Sequence, residues 1–303
     1  MQALILAGGE GTRLRPLTNT VPKAVIPLVD RPLLAHMVEW LRGHGIDDVV
    51  LSCGHLAGEV RAALGDTGLT YVDEPRPLGT GGALKHAEGL LAERFLMLNG
   101  DVLCDFDLGT LVDAHERTGA RATLALTAVD DPSAYGLVRT APGGAVTGFV
   151  EKPPPDEADT RDVSAGVYVL ERSVLDLLPP GEPASIERDV FPRLVGAGLH
   201  AVRCDGYWLD LGTPERYLQA TFDLLDRRGE EAVIGDGAQV DPDARLGRHV
   251  VLGRGVTVAA GASVERAVVL DGAHVGRDCV LRDCIVAAGA RVEDRRVVEE
   301  AIA

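Results

Sequence analysis

Residues 1–27 read MQALILAGGEGTRLRPLTNTVPKAVIP, one short apolar strand running into a turn with three glycines and three cations. Glycines at 8, 9 and 11 let the backbone approach a bulky anion closely, and Arg13, Arg15 and Lys23 bring positive charge to it. A phosphate-bearing ligand is the natural expectation. A P-loop is excluded, because Thr12-Arg13 stands where Lys-Ser/Thr must follow the last glycine. A dinucleotide fingerprint is excluded too, because Leu14 takes the place of the helix-opening glycine and Pro16 soon follows. There remains a glycine-rich loop around a nucleotide's phosphates, with arginine and lysine supplied nearby.

The 303 residues carry 46 acidic and 30 basic side chains, a net charge of −16, which disfavours nonspecific binding to nucleic acid or an anionic membrane. A negative protein that binds a negative ligand must concentrate its cations locally, which singles out the opening turn. The five cysteines (53, 104, 204, 279, 284) are odd in number and form no CxxC pair. A disulfide framework or zinc site is not expected, and a reducing cytoplasm is the simpler home. Cys279 and Cys284 read as small core residues. The apolar run 3–7 is too short for a signal peptide, and nowhere do 18 apolar residues run together to span a membrane.

From residue 2 to about 228, strand-like runs (3–7, 48–53, 69–72, 95–99) alternate with helix-like stretches (33–45, 56–65, 80–91, 108–119). That rhythm predicts a Rossmann-like α/β domain over 1–229, with a mainly parallel sheet flanked by helices. Later strands at 122–129, 145–151, 165–171 and 200–207 are spaced more tightly, so some should run antiparallel; 215–229 reads as the closing helix. After residue 232 the period becomes six: Ile234, Val240, Leu246, Leu252, Val258 and Val264, then a slip, then Val275, Leu281, Val286, Val292 and Val298. This predicts a left-handed hexapeptide β-helix over 232–303, whose exposed ends call for burial against another surface.

The stretches GGEGTRLRPLTNTVPKAVIP, PLGTGGAL (77–84), LNGD (98–101), AYGLV (134–138), FVEKP (149–153), SIERDVFP (185–192) and YWLDLGTP (207–214) occur in this order. Together they resemble the sugar-nucleotide pyrophosphorylases, which join a nucleoside triphosphate to a sugar 1-phosphate. With the hexapeptide tail, they are most similar to the mannose-1-phosphate guanylyltransferase branch. The resemblance covers nearly the whole chain. It implies the nucleotide-diphospho-sugar transferase fold, in-line attack of a sugar phosphate oxygen on the nucleotide α-phosphorus, and release of pyrophosphate.

The same resemblance implies roles. Leu6, Ala7, Gly8, Gly9, Gly11, Thr12, Arg13, Glu74, Pro77, Gly79 and Thr80 would line the nucleotide; Arg13, Lys23 and Asp101 would be catalytic. Asp101 and Asp210 would hold one Mg²⁺ against the phosphates. Asn99, Gly100, Gly136, Glu151, Lys152 and Ser164 would receive the sugar phosphate, with Lys152 on its phosphate and Glu151 on its hydroxyls. Arg15 is as well explained by a salt bridge. Glu74 stands where thymidylyl relatives have glutamine. Guanine presents two adjacent donors, which suit a carboxylate, so Glu74 leans the reading toward GTP.

Ser164 departs from the family, whose members read NAGVYV where this chain reads SAGVYV. Glucose or another hexose phosphate therefore stays open beside mannose, as do thymidylyl, uridylyl and adenylyl transfer. A hexapeptide acyltransferase built on His249 and His274, and an inactive regulatory paralogue, are the rivals from other classes. The tail is short for the first, and all the cations and carboxylates are present against the second. The resemblance also implies self-association through the β-helix, as a dimer or higher homo-oligomer.

Overall fold

The computed structural model describes residues 1–303 apart from 20, 66, 67, 133, 134, 152–157, 301 and 303, and the backbone only of Glu151. The chain packs as two compact units that interleave in sequence: Met1–Gly9 with Leu34–Trp208, and Glu10–Leu33 with Leu209–Ala303. The opening turn is divided, Gly8 and Gly9 belonging to the first unit and Gly11 onward to the second.

The first unit is built on a sheet of β1 (Gln2–Leu6), β2 (Asp48–Cys53), β3 (Leu69–Asp73), β4 (Arg94–Asn99), β5 (Ala122–Ala128), β6 (Gly136–Thr140), β7 (Val146–Glu151), β8 (Asp162–Glu171) and β9 (Leu199–Arg203). β1 runs parallel to β2 on one side and to β4 on the other, with β3 parallel beyond β2. Ala3, Leu4 and Ile5 are wholly buried, as expected of a parallel strand covered on both faces. α1 (Leu33–Gly43), α2 (Ala57–Leu64), α3 (Gly79–Ala87) and α4 (Leu108–Thr118) lie in the connections. The later strands turn the sheet antiparallel, as their spacing predicts: β8 runs against β4 and β5, and β6 pairs β7 as a hairpin. The predicted helix 80–91 stops at Ala87 and finishes as a 3₁₀ turn, Glu88–Leu90.

In the second unit, residues 10–33 fold as three 3₁₀ turns, Thr12–Leu14, Leu17–Asn19 and Lys23–Val25. α5 (Pro214–Arg228) opens on a Thr213 cap with proline behind it and closes on left-handed Gly229. The rest is a parallel β-helix with a valine- and alanine-rich interior. Ala232 pairs with Val250, 18 residues on, and Val250 with Ala267, 17 residues on. Thereafter Ala267 pairs with Cys284 at the same 17-residue interval. The slip in the six-residue period is this change of coil length. Ile234, which the period places inside, is 53% exposed, because its strand Ala232–Ile234 ends the stack and has a neighbour on one side alone.

Candidate active site

In the first unit, β1 and β4 deliver Ala7–Gly9 and Asn99–Asp101 to the carboxyl edge of the sheet, where ligands of open α/β sheets bind. The two strand ends are drawn together by backbone bonds: Ala7 N donates to Ser52 O at 2.7 Å and Gly100 N to Leu6 O at 2.9 Å. A Cβ at Gly100 would lie 2.3 Å from that same carbonyl, so only glycine fits. Gly8 meets Gly54 and the Glu74 carboxylate in the same way. A Cβ at Gly8 would lie 2.6 Å from Glu74 Oε1.

Glu74 is held from beneath. Ser52 Oγ donates to its Oε1 at 3.1 Å, and Leu78 N donates to its Oε2 at 3.2 Å. Each oxygen keeps a lone pair for a further donor. The glycines of 79–82 serve packing on one side: Gly81 N and Gly82 N both donate to Ala184 O, and a Cβ at Gly79 would stand 2.6 Å from it. Thr80 is turned the same way, its hydroxyl donating to Glu187 Oε2 at 2.7 Å.

Ser164 owes its position to a bulge. Along β8, Ser164 lies opposite Leu126 and Tyr168 opposite Leu124, so four residues of β8 match two of β5. Residues i and i+4 of a regular strand stand about 13 Å apart. The bulge, turning on Gly166 at φ 72°, shortens that span enough for Ser164 Oγ to donate to Tyr168 Oη at 3.1 Å. Asn99 packs against the bulge, its Nδ2 3.0 Å from where a Gly166 Cβ would be, and its buried Oδ1 has no partner in the structure. Trp208 Nε1 donates to Ala165 O at 2.8 Å, and the indole meets the edge of Tyr135 beside Gly136. Tyr168, Glu187 and Ser52 carry no motif signal beyond neighbouring ones; Glu187 lies inside SIERDVFP but without a readable role. Glu151 ends β7, and Lys152 lies outside the described residues.

In the second unit, left-handed Gly11 (φ 61°) starts the turn that presents Arg13. A Cβ there would strike the Lys23 Cβ at 2.8 Å and Thr18 Cγ2 at 2.9 Å, and Thr18 Oγ1 donates back to Gly11 O. Lys23 is 9% exposed, its stem packed beside Leu14, Ile26, Leu211 and Tyr217. Arg13 and Asp210 converge on Gly212. A Cβ there would be 3.0 Å from both guanidinium nitrogens and from Asp210 Oδ2. Arg216, from the first turn of α5, donates to that same Asp210 oxygen. Sequence reading misses Arg216, although Thr213-Pro214-Glu215-Arg216 is a legible helix start. Arg15 pairs with Glu10 at 3.5 Å, the salt bridge expected of it.

The donors nominated for a cation are carboxylate oxygens alone. Among the described residues no group of three His, Cys, Asp or Glu is placed to hold a metal, so a closed protein cage is not built here. One or two carboxylates plus substrate phosphates is the ordinary magnesium arrangement, and Asp101 and Asp210 fit it. Asp210 would share its charge with Arg216.

Residues 2–227 match the nucleotidyl transferase family and residues 229–303 the GMPPB C-terminal domain. The chain belongs to the nucleotidyl transferase family. A mannose-1-phosphate guanylyltransferase of Mycobacterium tuberculosis is 36% identical over 93% of this chain and 83% of its own length. A UTP–glucose-1-phosphate uridylyltransferase of Synechocystis is 32% identical over 99% of this chain and 83% of its own. The crystal structure of HddC from Yersinia pseudotuberculosis complexed with GMP-PN superposes with a TM-score of 0.65, at 28% identity, over 74% of this chain and 99% of that one. The chain is therefore a nucleotidyltransferase, and members of this family generally use a divalent metal. No described helix is long and apolar enough to cross a membrane.

Proposed function

We propose that this nucleotidyltransferase makes GDP-mannose and pyrophosphate from GTP and mannose 1-phosphate, with residues 1–229 as its catalytic domain. The base assignment is carried by Glu74, a carboxylate fixed beside Gly8 by Ser52 and Leu78, with a lone pair spare on each oxygen. Guanine N1–H and N2–H₂ are two adjacent donors and suit that pair; uracil and thymine offer one donor between two acceptors.

The chain's residues then act mainly by positioning and charge. The Arg13 fork takes nonbridging oxygens of the triphosphate, and Lys23, with its stem buried, brings a second cation to them. Asn99 and Ser164 orient the sugar, Glu151 accepts from its hydroxyls, and Lys152 holds its phosphate so that an oxygen faces the α-phosphorus. Asp101 and Asp210 would hold Mg²⁺, which supplies charge neutralisation at the phosphates when bound. A reducing cytoplasm suits the five free cysteines, all of them buried. The β-helix joins copies into a homodimer, so light scattering should return twice the 32.0 kDa chain mass, and the monomer mass would reject that role.

A grid of nucleoside triphosphates against sugar 1-phosphates, read by pyrophosphate release, tests the assignment. GTP with mannose 1-phosphate should be fastest, and Glu74→Gln should move preference toward UTP or dTTP. Ser164 and the Synechocystis relative favour UTP with glucose 1-phosphate as the second reading, which a different fastest cell would select. Tight nucleotide-sugar binding without release in any cell would select an inactive regulator.

A further inference from the structure

A chain of hydroxyls in the first unit runs in one direction and ends on Glu187. Thr80 Oγ1 donates to Glu187 Oε2 at 2.7 Å and Ser185 Oγ to the same oxygen at 2.9 Å. Tyr168 Oη donates to Oε1 at the long limit of 3.5 Å. A carboxylate only accepts, so each of these groups must spend its hydrogen there. Tyr168 is wholly buried, and its phenol is pushed far above its usual range, first by burial and then by the Glu187 charge; it keeps its hydrogen throughout the working range. With that hydrogen committed, the Tyr168 oxygen is left to accept, and it accepts from Ser164. Ser164 in turn receives Gly166 N–H at 3.4 Å. Its single hydrogen and one of its two lone pairs are taken.

We propose that Glu187 and Tyr168 are positioning residues that fix the polarity of Ser164, leaving it a single acceptor for a donating hydroxyl of the sugar phosphate. This rests on Ser164 belonging to the sugar 1-phosphate site, as in the proposed function. The consequence is a specificity rule. An asparagine amide at this position offers both a donor and an acceptor, so it can meet a sugar oxygen of either polarity. The serine of this chain, locked inward, recognises only a hydroxyl that can give its hydrogen. The bulge at Gly166 is what brings Ser164 within reach of the lock.

The test is KM for mannose 1-phosphate and for GTP in wild type, Ser164→Ala, Tyr168→Phe, Glu187→Gln and the two doubles that include Ser164→Ala. Ser164→Ala should raise the sugar KM about tenfold and each positioning variant about threefold to fivefold, with the KM for GTP within twofold. Each double should be no worse than Ser164→Ala alone. Tyr168→Phe, which keeps the ring and its packing, covers the case in which Glu187→Gln does not fold. Mannose 1-phosphates with one hydroxyl replaced by hydrogen or by fluorine complete it. At one ring position both replacements should cost wild type equally, since fluorine cannot donate. Effects that multiply in the doubles, that fall equally on GTP, or that fluorine rescues would overturn the inference while leaving the enzyme assignment intact. If wild type turned over no nucleotide and sugar phosphate at all, the assignment itself would fall and the inference with it.

Discussion

Glycine does different work in the two units. In the first, Gly8, Gly54 and Gly100 have backbone angles outside the left-handed region, yet no side chain fits them. A Cβ at Gly54 would lie 3.0 Å from Gly8 Cα and one at Gly100 2.3 Å from Leu6 O. In the β-helix, Gly255, Gly272 and Gly289 stand at φ 64°, 70° and 68° with nothing within 4 Å of a would-be Cβ. There glycine is needed for the turn and not for room. The other corners bear this out, since His249, Arg266, Asp283 and Glu300 occupy positive φ with full side chains. A site glycine thus fails by collision, a corner glycine by strain.

Gly100→Ala should break the molecule hardest. Its methyl must push apart β1 and β4, costing about 1–3 kcal/mol in a thermal melt and about a hundredfold in pyrophosphate release as Asp101 is displaced. Gly8→Ala meets only the end of a side chain, Glu74 Oε1 at 2.6 Å. It should leave stability within about 1 kcal/mol but raise KM for GTP about tenfold, read by steady-state kinetics. Gly255→Ala should cost about 1–2 kcal/mol with kcat and KM unchanged, and Gly255→Asn less, because asparagine tolerates the left-handed region. Equal damage to activity from Gly8→Ala and Gly255→Ala would erase the distinction.

The smallest expected effect is on pH. His115 is buried on α4, its Nδ1 2.8 Å from Thr123 Oγ1 and its Nε2 3.0 Å from Glu171 Oε1. Burial holds its pKa below 6.5, outweighing the pull of Glu171, with Arg94 adding to the depression. Folded His115 therefore binds fewer protons than the unfolded chain, and stability should fall as pH drops through and below about 6.5. Burial raises Glu171, but hydrogen bonds from His115 and Arg94 outweigh it and hold the carboxyl below 4.5. A second loss should follow below that pH. His115→Gln should flatten the first step in Tm measured against pH; an unchanged slope would show that His115 is not its source.

Much of this was legible beforehand because it is periodic. β2 matches the run DVVLSC residue for residue, and α5 the stretch closed by Gly229. Val102–Cys104 and β6 escaped, being short runs with no alternation of their own. The six-residue period showed the coil and even its slip, but not that the slip is a coil of 17 residues following one of 18. At the site, glycines and charged residues announce themselves by type. The lock on Ser164 does not, since Tyr168 reaches it only through a bulge and Glu187 only through the fold. The assignment of 1–229 and 232–303 as domains follows composition, whereas compactness places residues 10–33 with the C-terminal segment. Contacts between distant segments leave no trace in local pattern.

The β-helix ties each coil to the next through like positions: Arg254 with Asp271, Arg266 with Asp283, and Arg282 with Glu265 before it and Glu299 after. Duplicating one whole rung would recreate every partner and disturb none. A single extra residue would throw all subsequent bends out of phase with the rungs below. The length of this tail can drift over evolutionary time only in whole steps of the ladder.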